Sequence, residues 1–317
     1  MTTPPPARAH PRGGADRAAT ILLTAHVALI AFATLAMVTI LAGKFPVWMQ
    51  GPYTPRVYDL SWKYTGQIYV VLGLLAAIAH ASPRIGTRRA LALFAAAAGA
   101  ALASELIGTN FGVPFGPYHY TAMLGPRVNG DVPYPIPLSW AYMLYASLAM
   151  CAVIGPKGRR AEGPKGTTLW PFGPLTLWPL LAGLLMTAWD VALEVHMTNV
   201  SPAHWTWDLA HSPALFPAFL SSPVFYGMPL SNWVGWFVTA TLIARLMLAI
   251  VPPDVWRTRV APSRLPLVLY AANGLMPIAT TARHGLWGAA IGGAVLMGAP
   301  LAFVAAARHK GTRATSS

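Results

Sequence analysis

Acidic residues are scarce in this chain, nine in 317, and three of them fall where they can do acid-base chemistry. Glu105 stands among apolar residues one turn before a glycine- and proline-rich run, GTNFGVPFGPYHYTAMLGP, from Gly108 to Pro126. Asp190 and Glu194 are four residues apart, the spacing that stacks two side chains on one helical face. A carboxyl that keeps its proton serves as a general acid, and one that has lost it as a general base. Two that share a poorly hydrated face cannot both carry charge cheaply, which divides those roles between them. His119, inside the loop, is a further proton carrier, so the expected catalytic set is Glu105, Asp190, Glu194 and His119. Around them Tyr118, Tyr120, Trp140, Trp189, Trp207, Tyr226 and Trp236, with Asn232, are the expected substrate-binding residues. Aromatic faces stabilise a carbocation or line an apolar groove. The competing readings are structural: acids solvated at helix ends, an interfacial histidine, and an aromatic belt at the membrane surface.

The elements that must position these groups are membrane helices. The chain is 55% hydrophobic and 10% charged, and crossing a hydrocarbon core of about 30 Å takes roughly 20 residues. Spans are expected near Thr20 to Leu41, Tyr64 to Ala81, Ala90 to Ile107, Leu138 to Ile154, Trp170 to Ala192, Leu230 to Ile250, Leu265 to Thr280 and Leu286 to Ala307. That is an all-α polytopic bundle of about eight transmembrane helices. Seven is the alternative, because Pro266 and Pro277 leave the seventh span short. The Gly/Pro run after the third helix reads as a re-entrant or lid-like loop, since non-helical backbone at membrane depth must be buried by protein or line a cavity. Residues 1–18 and 309–317 read as disordered tails, and 19–308 as one membrane-embedded catalytic domain.

Sixteen of the 22 Lys and Arg residues fall on one set of loops and five on the other. By the positive-inside rule this puts both termini in the cytoplasm and the chain in the cell membrane. Glu105 then lies about 24 Å beyond Arg89, and Asp190 about 30 Å beyond Trp170, both toward the outer face. An ionisable group at such depth is costly, faces the bundle interior and marks function.

The net charge of +13 is spread over short loops between apolar spans, so it answers to anionic lipid and not to nucleic acid. With Cys151 as the only cysteine, no intrachain disulfide is possible. Glu105, His119, Asp190 and Glu194 lack any local metal-ligand spacing, so no metal is expected. Phosphate-binding glycine loops and nucleophile elbows are absent from the sequence. The GxxxG at Gly288 to Gly292 is most simply a close helix contact.

Several blocks together carry a resemblance. Glu105 with the Gly108 to Pro126 run, VPYPIPLSWAYMLYAS from Val132, AWDVALEVHM from Ala188, HWTW from His204 and YGMPLSNWVGWF from Tyr226 resemble the integral-membrane carotenoid 1,2-hydratases of bacteria and haloarchaea. The likeness spans roughly residues 100 to 240. Members of that family typically read DLxLDP where this chain has Asp190-Val-Ala-Leu-Glu194-Val195. The carboxylate persists, one methylene longer, and the following proline is gone.

The resemblance implies addition of water to the terminal C1–C2 double bond of a ψ-end group, giving a tertiary alcohol with no redox cofactor. The implied substrate is an acyclic or monocyclic carotenoid of the lycopene or γ-carotene class, or a longer acyclic one, met in the bilayer beside neighbouring enzymes of the pathway. Asp190 or Glu194 is then the expected proton donor to C2, aromatic faces steady the cation at C1, and Glu105 with His119 deprotonates the attacking water. Three other readings of the same residues stand beside it: a non-catalytic carotenoid-binding or assembly protein, a cation-mediated isomerase or cyclase of the same end group, and a proton-coupled carrier.

Overall fold

A computed structural model describes residues 13–40, 47–155, 173–211 and 217–314. The ends of both expected tails, 1–12 and 315–317, and the basic loop from Lys157 to Lys165 lie outside the described residues.

Among the described residues, eight helices are long and apolar enough to cross a membrane. They are α1 (Gly14–Thr39), α2 (Thr54–Ile85), α3 (Thr87–Phe111), α4 (Pro135–Ile154), α5 (Pro174–Asn199), α6 (Leu230–Ile250), α7 (Leu265–Arg283) and α8 (Trp287–Ala314). Each is the counterpart of one expected span, and the protein is a polytopic membrane helix bundle. The differences lie at the ends. α2 starts ten residues before Tyr64, with Pro55 in its first turn where the missing N–H costs nothing. Arg56, Asp59 and Lys63 lower the apolar signal there but do not break a helix. α5 runs on to Asn199 and carries Asp190 and Glu194 inside it. α1 is helical from Gly14 and α8 to Ala314, so helix occupies part of each segment expected as a tail.

α4 is the axis of the bundle. It is buried without interruption from Ser139 to Ala152, and it packs against α2, α3, α5, α6, α7 and α8. An apolar surface all round, with no polar stripe, is what a fully enclosed helix needs.

α7 is one continuous helix, despite Pro277. A proline cannot donate to the carbonyl four residues earlier, here Asn273. That carbonyl instead accepts the indole N–H of Trp189 on α5 at 3.1 Å. The Asn273 side chain accepts from the Tyr142 hydroxyl at 2.8 Å and donates to His26 Nε2 at 3.1 Å, while His26 Nδ1 meets the Tyr69 carbonyl at 2.7 Å. One polar hub thus ties α1, α2, α4, α5 and α7 together in a setting where an unpaired polar group is expensive.

One end of the bundle is capped by short antiparallel ribbons. β1 (Tyr118–Tyr120) pairs with β4 (Trp205–Trp207), β2 (Arg127–Val128) with β3 (Val132–Pro133), and β5 (Pro223–Phe225) with β6 (Met228–Pro229). The Gly/Pro run after α3 is therefore a lid, stitched to the α5–α6 connection.

Candidate functional site

The sequence closes the lid by local means. α3 ends at Gly112, whose φ of 69° is the left-handed conformation that a glycine C-cap supplies. Beneath the loop, a Cβ on Gly108 would stand 2.8 Å from Phe115 Cδ2 and 3.0 Å from the Tyr118 hydroxyl, so only glycine lets the chain fold back this closely. Ser231 at the start of α6 donates to the Phe115 carbonyl at 2.9 Å and fastens the loop to a second helix. YHY and WTW are aromatic and β-branched segments suited to a short ribbon. Beyond the ribbon, Thr121 N donates to the His204 carbonyl and Asp208 N to the Pro117 carbonyl, each at 2.9 Å.

Strand alternation then sorts the side chains. Tyr118, Tyr120, Trp205 and Trp207 turn inward, and His119 and Thr206, which are paired, are exposed. The Tyr118 and Tyr120 hydroxyls both donate to Glu105 Oε2, the latter at 2.8 Å. Trp205 and Trp207 both donate through Nε1 to Glu194 Oε1, at 2.9 and 2.7 Å. One strand serves each carboxyl. Burial, and next the Glu105 carboxylate, push both phenols well above the ordinary tyrosine range, so they remain hydrogen-bond donors.

Glu105 reaches this point on the buried α3 face made by Ala97, Ala101 and Gly108, and is 4% exposed. Glu194 is 1% and Asp190 0% exposed on α5. Asp190 Oδ2 accepts from Asn232 Nδ2 at 2.9 Å, while its Oδ1 is buried with no hydrogen-bond partner among the described residues.

Glu105, Glu194 and Asn232 open onto one cavity of ≈ 70 Å³. Its walls are aromatic. Trp140 and Trp236 stack at 4.3 Å with 27° between planes, and Trp189 stands edge-on to Trp236 at 5.8 Å. Of the expected site residues, Glu105, Tyr118, Tyr120, Trp140, Trp189, Glu194, Trp207, Asn232 and Trp236 line this cavity, and Asp190 sits directly behind Asn232.

Two expected residues are placed elsewhere. His119 points to the opposite face of β1, so it does not converge with the three acids either as a proton carrier or in the four-residue ligand set weighed above. Tyr226 lies at a tight turn with φ 50°, is 37% exposed, and its hydroxyl accepts the Gly288 N–H at the start of α8 at 3.1 Å. Trp205, Ser139, Tyr142 and Asn273 line the cavity without having been singled out as substrate-binding residues. Trp205 has a sequence signal in its period-two spacing from Trp207, and Asn273 has none, because its partners Tyr142, Trp189 and His26 are distant in the chain.

Residues 65–300 match a known family, described as carotenoid biosynthesis protein. The chain belongs to that family. Every carboxyl and aromatic of the cavity named above falls inside the matched stretch of this carotenoid biosynthesis protein. Over 143 residues it is 26% identical to the bisanhydrobacterioruberin hydratase of Haloarcula japonica, a match covering 45% of this chain and 39% of that protein. Less than two thirds of that relative is therefore spanned. No solved structure matches the chain. Two separately held carboxyls, with a third behind them, beside an aromatic-walled cavity can give a proton at one point and take one at another, while aromatic faces steady positive charge between them.

Proposed function

We propose that this protein is a carotenoid 1,2-hydratase, adding water to the terminal C1–C2 double bond of a ψ-end group in the cell membrane, with the capped end away from the cytoplasm. The observation that carries the reading is the division of donors: two tyrosines on Glu105, two tryptophans on Glu194, across one aromatic cavity. In this mechanism Glu194 is the acid, with both indoles on Oε1 and the proton on Oε2. The π electrons of the double bond form the new C2–H bond, leaving a tertiary cation at C1 beside Trp140, Trp189 and Trp236. Water attacks C1 and gives its proton to Glu105, held as the base by Tyr118 and Tyr120. Return of that proton from Glu105 to the Asp190–Glu194 side resets the site, and the net change is alkene plus water to tertiary alcohol. Nothing in this sequence of steps calls for a redox cofactor.

The hydratase named above supports water addition as the reaction, and the lid supports restricted access of water to the cation. The orientation is supported by Arg84, Arg88, Arg89, Arg257, Arg259 and Arg264, all at the end of the bundle opposite the lid. The test is to give membranes containing the protein lycopene or γ-carotene and follow product mass, with Glu105→Gln, Asp190→Asn and Glu194→Gln beside the wild type. Hydration adds the mass of water, whereas isomerisation or cyclisation through the same cation leaves mass unchanged. Each single variant should lose hydrated product while staying in the membrane. Full conversion by the triple variant would refute the mechanism.

A further inference from the structure

A second cavity, ≈ 400 Å³, lies chiefly between α1 and α2 and reaches their outer surfaces, where Phe32, Tyr53 and Val57 are exposed. It adjoins the acid-lined cavity, with Gly66, Tyr69, Leu124, Met197 and Met276 lining both. Where the two adjoin, a Cβ on Gly66 would find no atom of the described residues within 4 Å, so there is open space beside α2 at that point. Five of the chain's 12 methionines, Met37, Met49, Met123, Met197 and Met276, line the second cavity. An unbranched, polarisable side chain moulds itself to an irregular apolar guest. Close packing normally leaves few voids between helices, so an apolar space of ≈ 400 Å³ beside the acid-lined cavity, with an edge at the exposed surface of α1 and α2, calls for an occupant.

We propose that the second cavity holds the polyene body of the same carotenoid whose end group reaches Glu105 and Glu194. The chain is admitted sideways from the bilayer between α1 and α2, and Gly66 sets the width of the passage. This rests on the carotenoid reading of the acid-lined cavity. It adds a route and a size-determining residue. A rod-shaped hydrocarbon dissolved in lipid has no reason to pass through water, and Phe115, Tyr118 and Tyr120 of the lid wall the acid cavity on its capped side. The lateral opening leaves the end group free to enter while the rest of the chain stays in apolar surroundings.

The experiment uses full-length protein in phospholipid vesicles, with lycopene and with a truncated acyclic isoprenoid that has the same terminal alkene but does not extend past Gly66. Gly66→Leu narrows the passage from α2, and Ala36→Phe narrows the second cavity independently from α1, so a folding defect in one variant leaves the other as the test. Both should weaken lycopene binding, read as quenching of tryptophan fluorescence, by about tenfold or more, and lower the ratio of long-chain to short-chain turnover. Unchanged lycopene binding in both variants, or equal loss with the two probes, would overturn the proposal. Lycopene binding that responds to both substitutions in a wild-type background that hydrates neither probe would keep the chain site and discard the hydratase reading.

Discussion

Tyr118 and Trp207 face each other across β1 and β4 with ring centroids 5.4 Å apart, yet they hold different carboxyls: Tyr118 donates to Glu105 and Trp207 to Glu194. The ribbon therefore fixes the separation of the two acids, which come from different helices, α3 and α5.

Removing one donor at a time should expose that division. Tyr118→Phe and Tyr120→Phe each leave Glu105 with one fewer charge-assisted hydrogen bond, worth about 1.5–3 kcal/mol. Turnover of lycopene should fall about 10- to 100-fold, and Trp205→Phe or Trp207→Phe should act similarly through Glu194. Steady-state rates for the four variants, with thermal midpoints to show that the fold survives, check this.

Glu194→Asp restores the shorter acid that the resembling hydratases carry but withdraws the carboxyl by one methylene from indoles now at 2.9 and 2.7 Å. We expect about a tenfold loss of turnover with little change in stability. Activity equal to wild type would mean that the two indole bonds do not position the acid.

Gly108→Ala tests the lid. Its Cβ would stand 2.8 Å from Phe115 and 3.0 Å from the Tyr118 hydroxyl, an overpacking expected to cost about 1–3 kcal/mol and to shift Tyr118 off Glu105. A lower thermal midpoint in detergent together with reduced turnover is the expected pair of results.

His204, in the connection beyond α5, is kept neutral: burial pushes its imidazole down to about 4, against a smaller upward pull from its backbone bond to Met197. Its ring lies near those of His196 and Trp62. On unfolding it returns to its ordinary value near ~6.5 and takes up a proton first. Its contribution to stability is thus complete above about 6.5 and lost as pH falls toward 4. Thermal midpoints across that window should decline less steeply for His204→Gln than for wild type.

The bundle was legible because crossing a bilayer demands long apolar runs, and each expected span has its helix. What hydropathy could not reveal was how far α2 extends before Tyr64 or α5 beyond Ala192, since charged and polar turns continue a helix without adding to the apolar signal. Glu105, Asp190 and Glu194 are legible because they are the acids that fall at membrane depth, Glu105 among apolar residues and the other two four residues apart on one helical face. The direction of His119 is not legible in the sequence, because it depends on a strand and only pairing with β4 fixes which of three consecutive aromatic residues face inward. Tyr226 shares the aromatic composition of the cavity residues, yet its turn carries it toward α8. The Asn273 hub depends on four partners distant in sequence, so no local pattern announces it.

The most direct measurement runs the reaction in deuterium oxide enriched in heavy oxygen and locates both labels in the product by mass spectrometry. Protonation of C2 by a carboxyl in exchange with solvent, followed by water capture at C1, predicts one carbon-bound deuterium at C2 and one heavy oxygen at C1 per hydrated end. A product that carries deuterium but no solvent oxygen, or carotenoid recovered unlabelled and unchanged from active membranes, would contradict it.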